Sequence, residues 1–223
     1  MKNFIAALLG IALAGVPALA EPNVKPFSLE AQGCMKLREC QRNVHRVTDI
    51  SHINNHFNDY YPDDVEQELA GLIEKLNRSG VEIFIADSTY FPSNTRGLYY
   101  TDVNRLFLNK AHVYMPQVML SVLRHEGWHA AQDCMAGTID NTFIAVIYGD
   151  EIVPDSYQLL ADVRYGLLMP KAVPWEMEAM WAADVKEMTL NALYACTTGA
   201  MWDLYEPTPM TQEWLIKNGY ITE

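Results

Sequence analysis

Leu69, Leu72, Ile73 and Leu76 recur at three- and four-residue intervals in DDVEQELAGLIEKLNRSG, the spacing of one apolar helix face. Pro62, Asp63 and Asp64 suit its first turn, and Gly80 supplies the stop. The period then shortens. Val81 to Ala86 (VEIFIA) is a brief β-rich run; GLYYT and RLFLNK follow, separated by Asp-Val-Asn. These runs predict a small antiparallel or mixed sheet, with antiparallel neighbours expected. Helical spacing returns from about Met115 to Met135, around Asp155 to Leu168, and from Trp175 to about Cys196, the longest continuous helical pattern. Pro170 and Pro174 bracket a linker before that last helix. A further helix is expected ahead of these, from about Ser28 to Arg46, and a turn or two in the tail PTPMTQEWLIKNGYITE. Helices, a small sheet, then helices predict an α+β fold. At 223 residues the chain is read as one domain over 21–223.

Residues 1–20 stand apart from this pattern. MKNFIAALLGIALAGVPALA carries Lys2, an apolar run from Phe4 to Ala14, and Ala18-Leu19-Ala20 ahead of Glu21. That is the form of a cleaved secretory signal peptide, too short in its apolar part for a spanning helix. No later run reaches membrane-spanning length, so no stable membrane insertion is expected after cleavage. A secreted or periplasmic location follows.

Composition changes the picture in two ways. Half the residues are hydrophobic and 20% are charged, which provides for a packed core rather than disorder. The net charge of −12 is spread along the chain without a basic stripe, so nucleic acid is not an expected partner. The four cysteines all follow the cleavage point. An even number in an exported chain predicts two disulfides, with Cys34–Cys40 as a local clip and Cys134–Cys196 as a long-range staple preferred among the three pairings.

The chemistry concentrates in VLRHEGWHAAQDC. His125 and His129 lie four residues apart, about 40° round a helix, so both imidazoles face one way and can share a metal ion. Glu126 is offset from that face, within reach of a water on the metal. Zinc lowers the pKa of such a water, and a nearby carboxylate can take its proton. Val118, Met119, Val122, Leu123, Ala130 and Ala131 make the helix apolar on most sides, where an unpartnered histidine pair is costly. A chance HExxH is expected about 0.01 times in a chain of this composition, which favours the metal reading over two core histidines. His52 and His56 in HINNH share the spacing but have Ile53 in place of the glutamate and polar neighbours; a solvated helix end is expected there.

HEGWH resembles the zinc-binding motif of the zincin metallopeptidases. The resemblance implies a small sheet ahead of the motif helix, with an edge strand near Gly97 to Lys110 that binds extended substrate. No histidine follows His129, which excludes the metzincin branch. The resemblance is therefore to the gluzincin type, in which a glutamate on a later helix is the third ligand. Glu176 is the preferred candidate in PWEMEAMWAADV, because Ala179 and Ala183 form a small-residue stripe beside it. Glu178 is the second, with the bulky Trp181 at the corresponding position. Two residues depart from the gluzincin pattern. Met180 replaces the aspartate that supports a ligand histidine, leaving Asp133 or Asp150 as substitutes, and Trp128 replaces a glycine before the second histidine. Tyr157 and Tyr165 are positional candidates for an additional electrophile.

The resemblance implies a zinc-dependent hydrolase with one Zn2+ per chain held by His125, His129 and Glu176. Glu126 would be general base, and a peptide or protein the substrate. Two rivals remain at this level: a zinc amidase acting on cell-wall peptide, and a non-catalytic protein that binds metal or a partner. The retained Glu126 weighs against the second.

Overall fold

The computed structural model describes residues 28–40, 42–54, 62–113, 115–137, 139, 142–206, 212–217 and 219. The expected signal at 1–20, and His56, lie outside them. Helix α1 (Leu29–Leu37) is followed by β1 (Val44–Val47), α2 (Ile50–Asn54), α3 (Asp63–Arg78), β2 (Glu82–Ala86), β3 (Gly97–Tyr100) and β4 (Arg105–Asn109). Then come α4 (Pro116–Met135), α5 (Asp155–Tyr165), α6 (Val173–Asp184), α7 (Met188–Thr198), α8 (Met201–Leu204) and α9 (Gln212–Lys217). The fold is α+β.

The sheet has four strands in the order β1-β2-β4-β3. It is mixed: β1–β2 and β3–β4 are antiparallel, whereas β2 and β4 run parallel. The expectation of antiparallel neighbours therefore holds for β3–β4 and fails for β2–β4, where burial places β4 inside the sheet. Leu106, Phe107 and Leu108 of β4 are buried on both faces, so β4 takes the interior position. The half-buried β3 is left at the edge. On one face Ile83, Ile85, Leu106 and Leu108 join Leu69, Leu72, Ile73 and Leu76 of α3 and Leu123 of α4 in the main core. On the other, Phe84, Phe107, Leu98 and Tyr100 meet Met35 of α1 and Phe91.

Two helix expectations are corrected. The helix read from Ser28 to Arg46 stops at Leu37, where Arg38 turns left-handed (φ 60°), and Val44–Val47 pairs with β2 instead. The Cys34–Cys40 bond closes this reversal, and the β-branched ends of VHRV suit a strand. The pattern from Trp175 to Cys196 is two helices: Val185 is extended and Glu187 left-handed at φ 63°. Pro174, read as bounding a linker, lies in the first turn of α6, where its missing N–H costs nothing. Cys134–Cys196 fastens the end of α4 to α7.

A buried ion pair holds the break between α6 and α7. Arg124 donates to both carboxylate oxygens of Glu68, at 2.7 Å each, and to the Ala183 carbonyl at 3.3 Å, where α6 ends. The Glu187 N–H completes the set by donating to Glu68 at 3.1 Å. Burial works to raise the Glu68 carboxyl, but Arg124 and the Glu187 N–H outweigh it and hold it below the usual glutamate range. Replacing Glu68 by Gln leaves Arg124 without its counter-charge and is expected to cost about 3 kcal/mol at neutral pH. Because the folded pKa is depressed, the ionic contribution is full above the ordinary glutamate range and lost as pH falls through the folded value. Denaturant melts of the two proteins should therefore converge on acidification.

Candidate metal centre

Helix α4 crosses the middle of the molecule, packed by α3, α6, α7 and the β3–β4 edge of the sheet. Pro116 begins it, and almost every later side is covered, so its polar residues must find partners inside. His125 and His129 point from one face towards α6. Ala179, Ala182 and Ala183 are buried between the helices and allow the close approach that the small-residue stripe predicted.

Glu176 enters from the first turn of α6. Its Oε2 lies 3.3 Å from His125 Nε2 and its Oε1 3.7 Å from His129 Nε2. One ligand atom from each of the three residues lies within 4.8 Å of the others, the one such group among the described residues. The three donors, two imidazole nitrogens and a carboxylate oxygen, are of the kinds that hold a metal ion and lie close enough together to share one. Glu176 Oε2 is also buried with no donor in hydrogen-bond geometry, the condition of an oxygen that could accept a cation. Side-chain exposures of 21% for His125 and 17% for Glu176 leave the centre open to solvent on one side.

The electrostatics divide the two rings. Burial works to lower both imidazoles; for His125 the Glu176 carboxylate and the adjacent Glu126 prevail and hold it up, whereas for His129 burial prevails and favours the neutral ring. Burial also works to raise Glu176, but His125, His129 and Tyr165 together hold it down at about 2. A neutral imidazole and an ionised carboxylate are the forms that bind a metal.

Glu126 sits beside this group, buried against β3. Burial pushes its carboxyl up to about 7, with Glu176 adding and His125 and the Tyr99 backbone N–H opposing. That places it in the range where a carboxyl group accepts and returns protons at neutral pH. Gly97 makes the placement possible. A Cβ there would stand 2.6 Å from Val122 Cγ1 and 2.8 Å from Glu126 Cγ and Oε1. Gly97→Ala must push β3 off α4 or displace Glu126. It is expected to cost about 1–3 kcal/mol, the penalty of overpacking a core, which a thermal melt checks.

The other predicted residues fall elsewhere. Glu178 is fully buried but faces away from the histidines' shared centre, accepting from Trp128 Nε1 at 3.2 Å, Gln132 Nε2 at 2.6 Å, Ile147 N at 3.2 Å, and Tyr148 N. It is not gathered with the three ligand atoms. Neither substitute for the missing aspartate supports a histidine: Asp133 accepts from the Tyr99 hydroxyl at 2.7 Å, and Asp150 is exposed. Gln132 occupies that place, 2.8 Å from His129 Nδ1. The sequence reading missed it; its position three residues after His129, on the same helix face, is the signal that could have found it. Of the two tyrosines, Tyr165 hydrogen-bonds Glu176, and Tyr157 donates to Asp184 at 3.0 Å on the surface. His52 is exposed beside Asp49. Gly127 serves packing: a Cβ there would meet Thr189 of α7 at 3.0 Å.

Comparison with family models, with curated proteins and with solved structures found no match for this chain. The centre therefore rests on its own geometry.

Proposed function

We propose that this protein is an exported zinc-dependent hydrolase of the zincin type, a metallopeptidase whose metal is held by His125, His129 and Glu176. The observation that carries the reading is the convergence of these three ligand atoms, drawn from two helices, beside a buried glutamate outside the ligand set. A site serving structure alone has no use for Glu126, which has no counter-cation among its near neighbours except the imidazole of His125.

Zinc bound there would supply Lewis-acid polarisation of a substrate carbonyl. The chain supplies the remainder. Glu126 takes a proton from the attacking water and returns it to the leaving amine, a role that suits a carboxyl near neutrality. The Tyr165 hydroxyl stands beside Glu176 and helps to keep its carboxylate ionised. Strand β3 lies at the sheet edge, and its Tyr99 N–H is directed at Glu126, so an extended peptide added along that edge passes the base. Two disulfides fit an oxidising compartment, and among the described residues no helix is long and apolar enough to cross a membrane.

The test is zinc per chain after dialysis against a weak chelator, followed by cleavage of a peptide library with and without added zinc. About one zinc per chain with zinc-dependent cleavage is the expected result. A chain that retains no zinc and cleaves nothing on its addition overturns the proposal.

A further inference from the structure

The sequence departs from the gluzincin pattern at Met180 and Trp128, and the structure gives both departures one explanation. With no aspartate at 180, the carboxylate behind a ligand histidine is Glu178, and it reaches His129 through the amide of Gln132. We propose that Gln132 and Glu178 form a positioning relay that fixes His129 in the tautomer with hydrogen on Nδ1, leaving Nε2 bare towards Glu176. The inference rests on the metal-centre reading for its purpose, although the relay itself is a property of the protein without metal.

The argument starts from the Gln132 amide. Its Nε2 lies 2.6 Å from Glu178 Oε2 and 3.2 Å from the Trp175 carbonyl oxygen. Both partners are acceptors. Turning the amide over would set its oxygen against two oxygens in a buried site, at the cost of two hydrogen bonds and their replacement by repulsion. The orientation is therefore determined, and the Trp175 carbonyl determines it whether or not Glu178 is charged. Oε1 of Gln132 must then face His129 Nδ1, 2.8 Å away. A carbonyl-type oxygen only accepts, so Nδ1 carries the hydrogen and Nε2 keeps its lone pair.

Glu178 is in turn held from three further sides. Trp128 Nε1 donates to it at 3.2 Å, as do the backbone N–H of Ile147 at 3.2 Å and that of Tyr148. A glycine at 128 would provide no such donor, which accounts for tryptophan there. The Trp128 ring also stacks on Tyr148 at 5.8 Å, fixing the returning segment 145–148 that supplies the two backbone donors. His125 is supported separately, by a hydrogen bond to the backbone of Ala179. The support behind His129 thus passes through side chains of both α4 and α6.

The experiment reads the ring nitrogens directly. Long-range proton–nitrogen NMR spectra of histidine-labelled, zinc-free full chain are recorded at about pH 8, where an ordinary imidazole is neutral. His129 is assigned by its loss in His129→Ala. The expected wild-type result is protonated Nδ1 and bare Nε2. In Gln132→Met, which keeps length and removes both amide functions, the ring is expected to shift towards the Nε2–H form, while the His125 signals stay in place. Zinc affinity measured by chelator competition should fall 10–100-fold, the usual effect of losing a partner behind a ligand histidine. A residue serving packing alone would change the melting temperature without moving the tautomer.

An Nε2–H ring in wild type overturns the proposal, and so does an unchanged ring in folded Gln132→Met. Where that variant fails to fold, the wild-type spectrum still decides. A tautomer that responds to Gln132 in a protein that binds no zinc upholds the relay and removes the metal-centre reading, so the two failures are distinct.

Discussion

Glu126→Gln is expected to lower peptide hydrolysis by 10²–10⁴-fold, the usual contribution of a positioned general base, while zinc per chain is unchanged. The substitution keeps the side chain's size, so Gly97 still meets a group of the same shape. It removes only the ability to take a proton. Retention of metal is expected because Glu126 lies outside the ligand group of His125, His129 and Glu176. The pH profile gives a second signature. Activity requires the ionised carboxylate, so the rate rises with pH through its pKa. Burial pushes that value up to about 7 in the protein without metal, and a cation among the neighbouring ligands pulls it lower. The acid limb of kcat/KM should therefore lie at or below about 7 and vanish from any residual activity of the variant. Full activity in Glu126→Gln at unchanged zinc content would falsify the catalytic assignment.

His129→Ala should abolish stable zinc binding. The loss should exceed the 10–100-fold that follows removal of a partner behind a ligand, because a ligand atom itself is gone. Thermal unfolding makes the effect visible without a substrate. A ligand that binds only the folded chain stabilises it by about 4 kcal/mol at a free concentration 1,000 times its dissociation constant. Saturating zinc should thus raise the melting temperature of the wild-type chain and leave that of His129→Ala in place. His52→Ala provides the comparison: its ring is exposed beside Asp49 on α2, outside the group of three ligand atoms, and it should respond to zinc as the wild type does. An equal response in His129→Ala would place the metal elsewhere.

Much of the architecture was legible in spacing. The apolar face of α3 and the span of α4 follow from side chains recurring every three or four residues, and VEIFIA, GLYYT and RLFLNK appear as β2, β3 and β4. The errors share a cause. Strand β1 and the division between α6 and α7 depend on partners distant in sequence: β1 exists because β2 lies alongside it, and Glu187 turns left-handed where Glu68 receives its N–H. The parallel pairing of β2 with β4 likewise depends on which strand is buried on both faces, a property of the layers above and below it.

For the centre the division is similar. HEGWH by itself determined that two imidazoles share a helix face with a carboxylate beside them, because the geometry of a helix turns residue spacing into direction. The choice between Glu176 and Glu178 as the nearer carboxylate, the placing of Gln132 rather than Asp133 or Asp150 beside His129, and the pressing of Gly97 against Glu126 were decided only by the tertiary structure. Local spacing sets where a side chain points along its own element. How far apart two elements stand, and which of two neighbouring glutamates meets a histidine, depends on the volumes packed between them; here those are the alanines of α6 and the tryptophan at position 128.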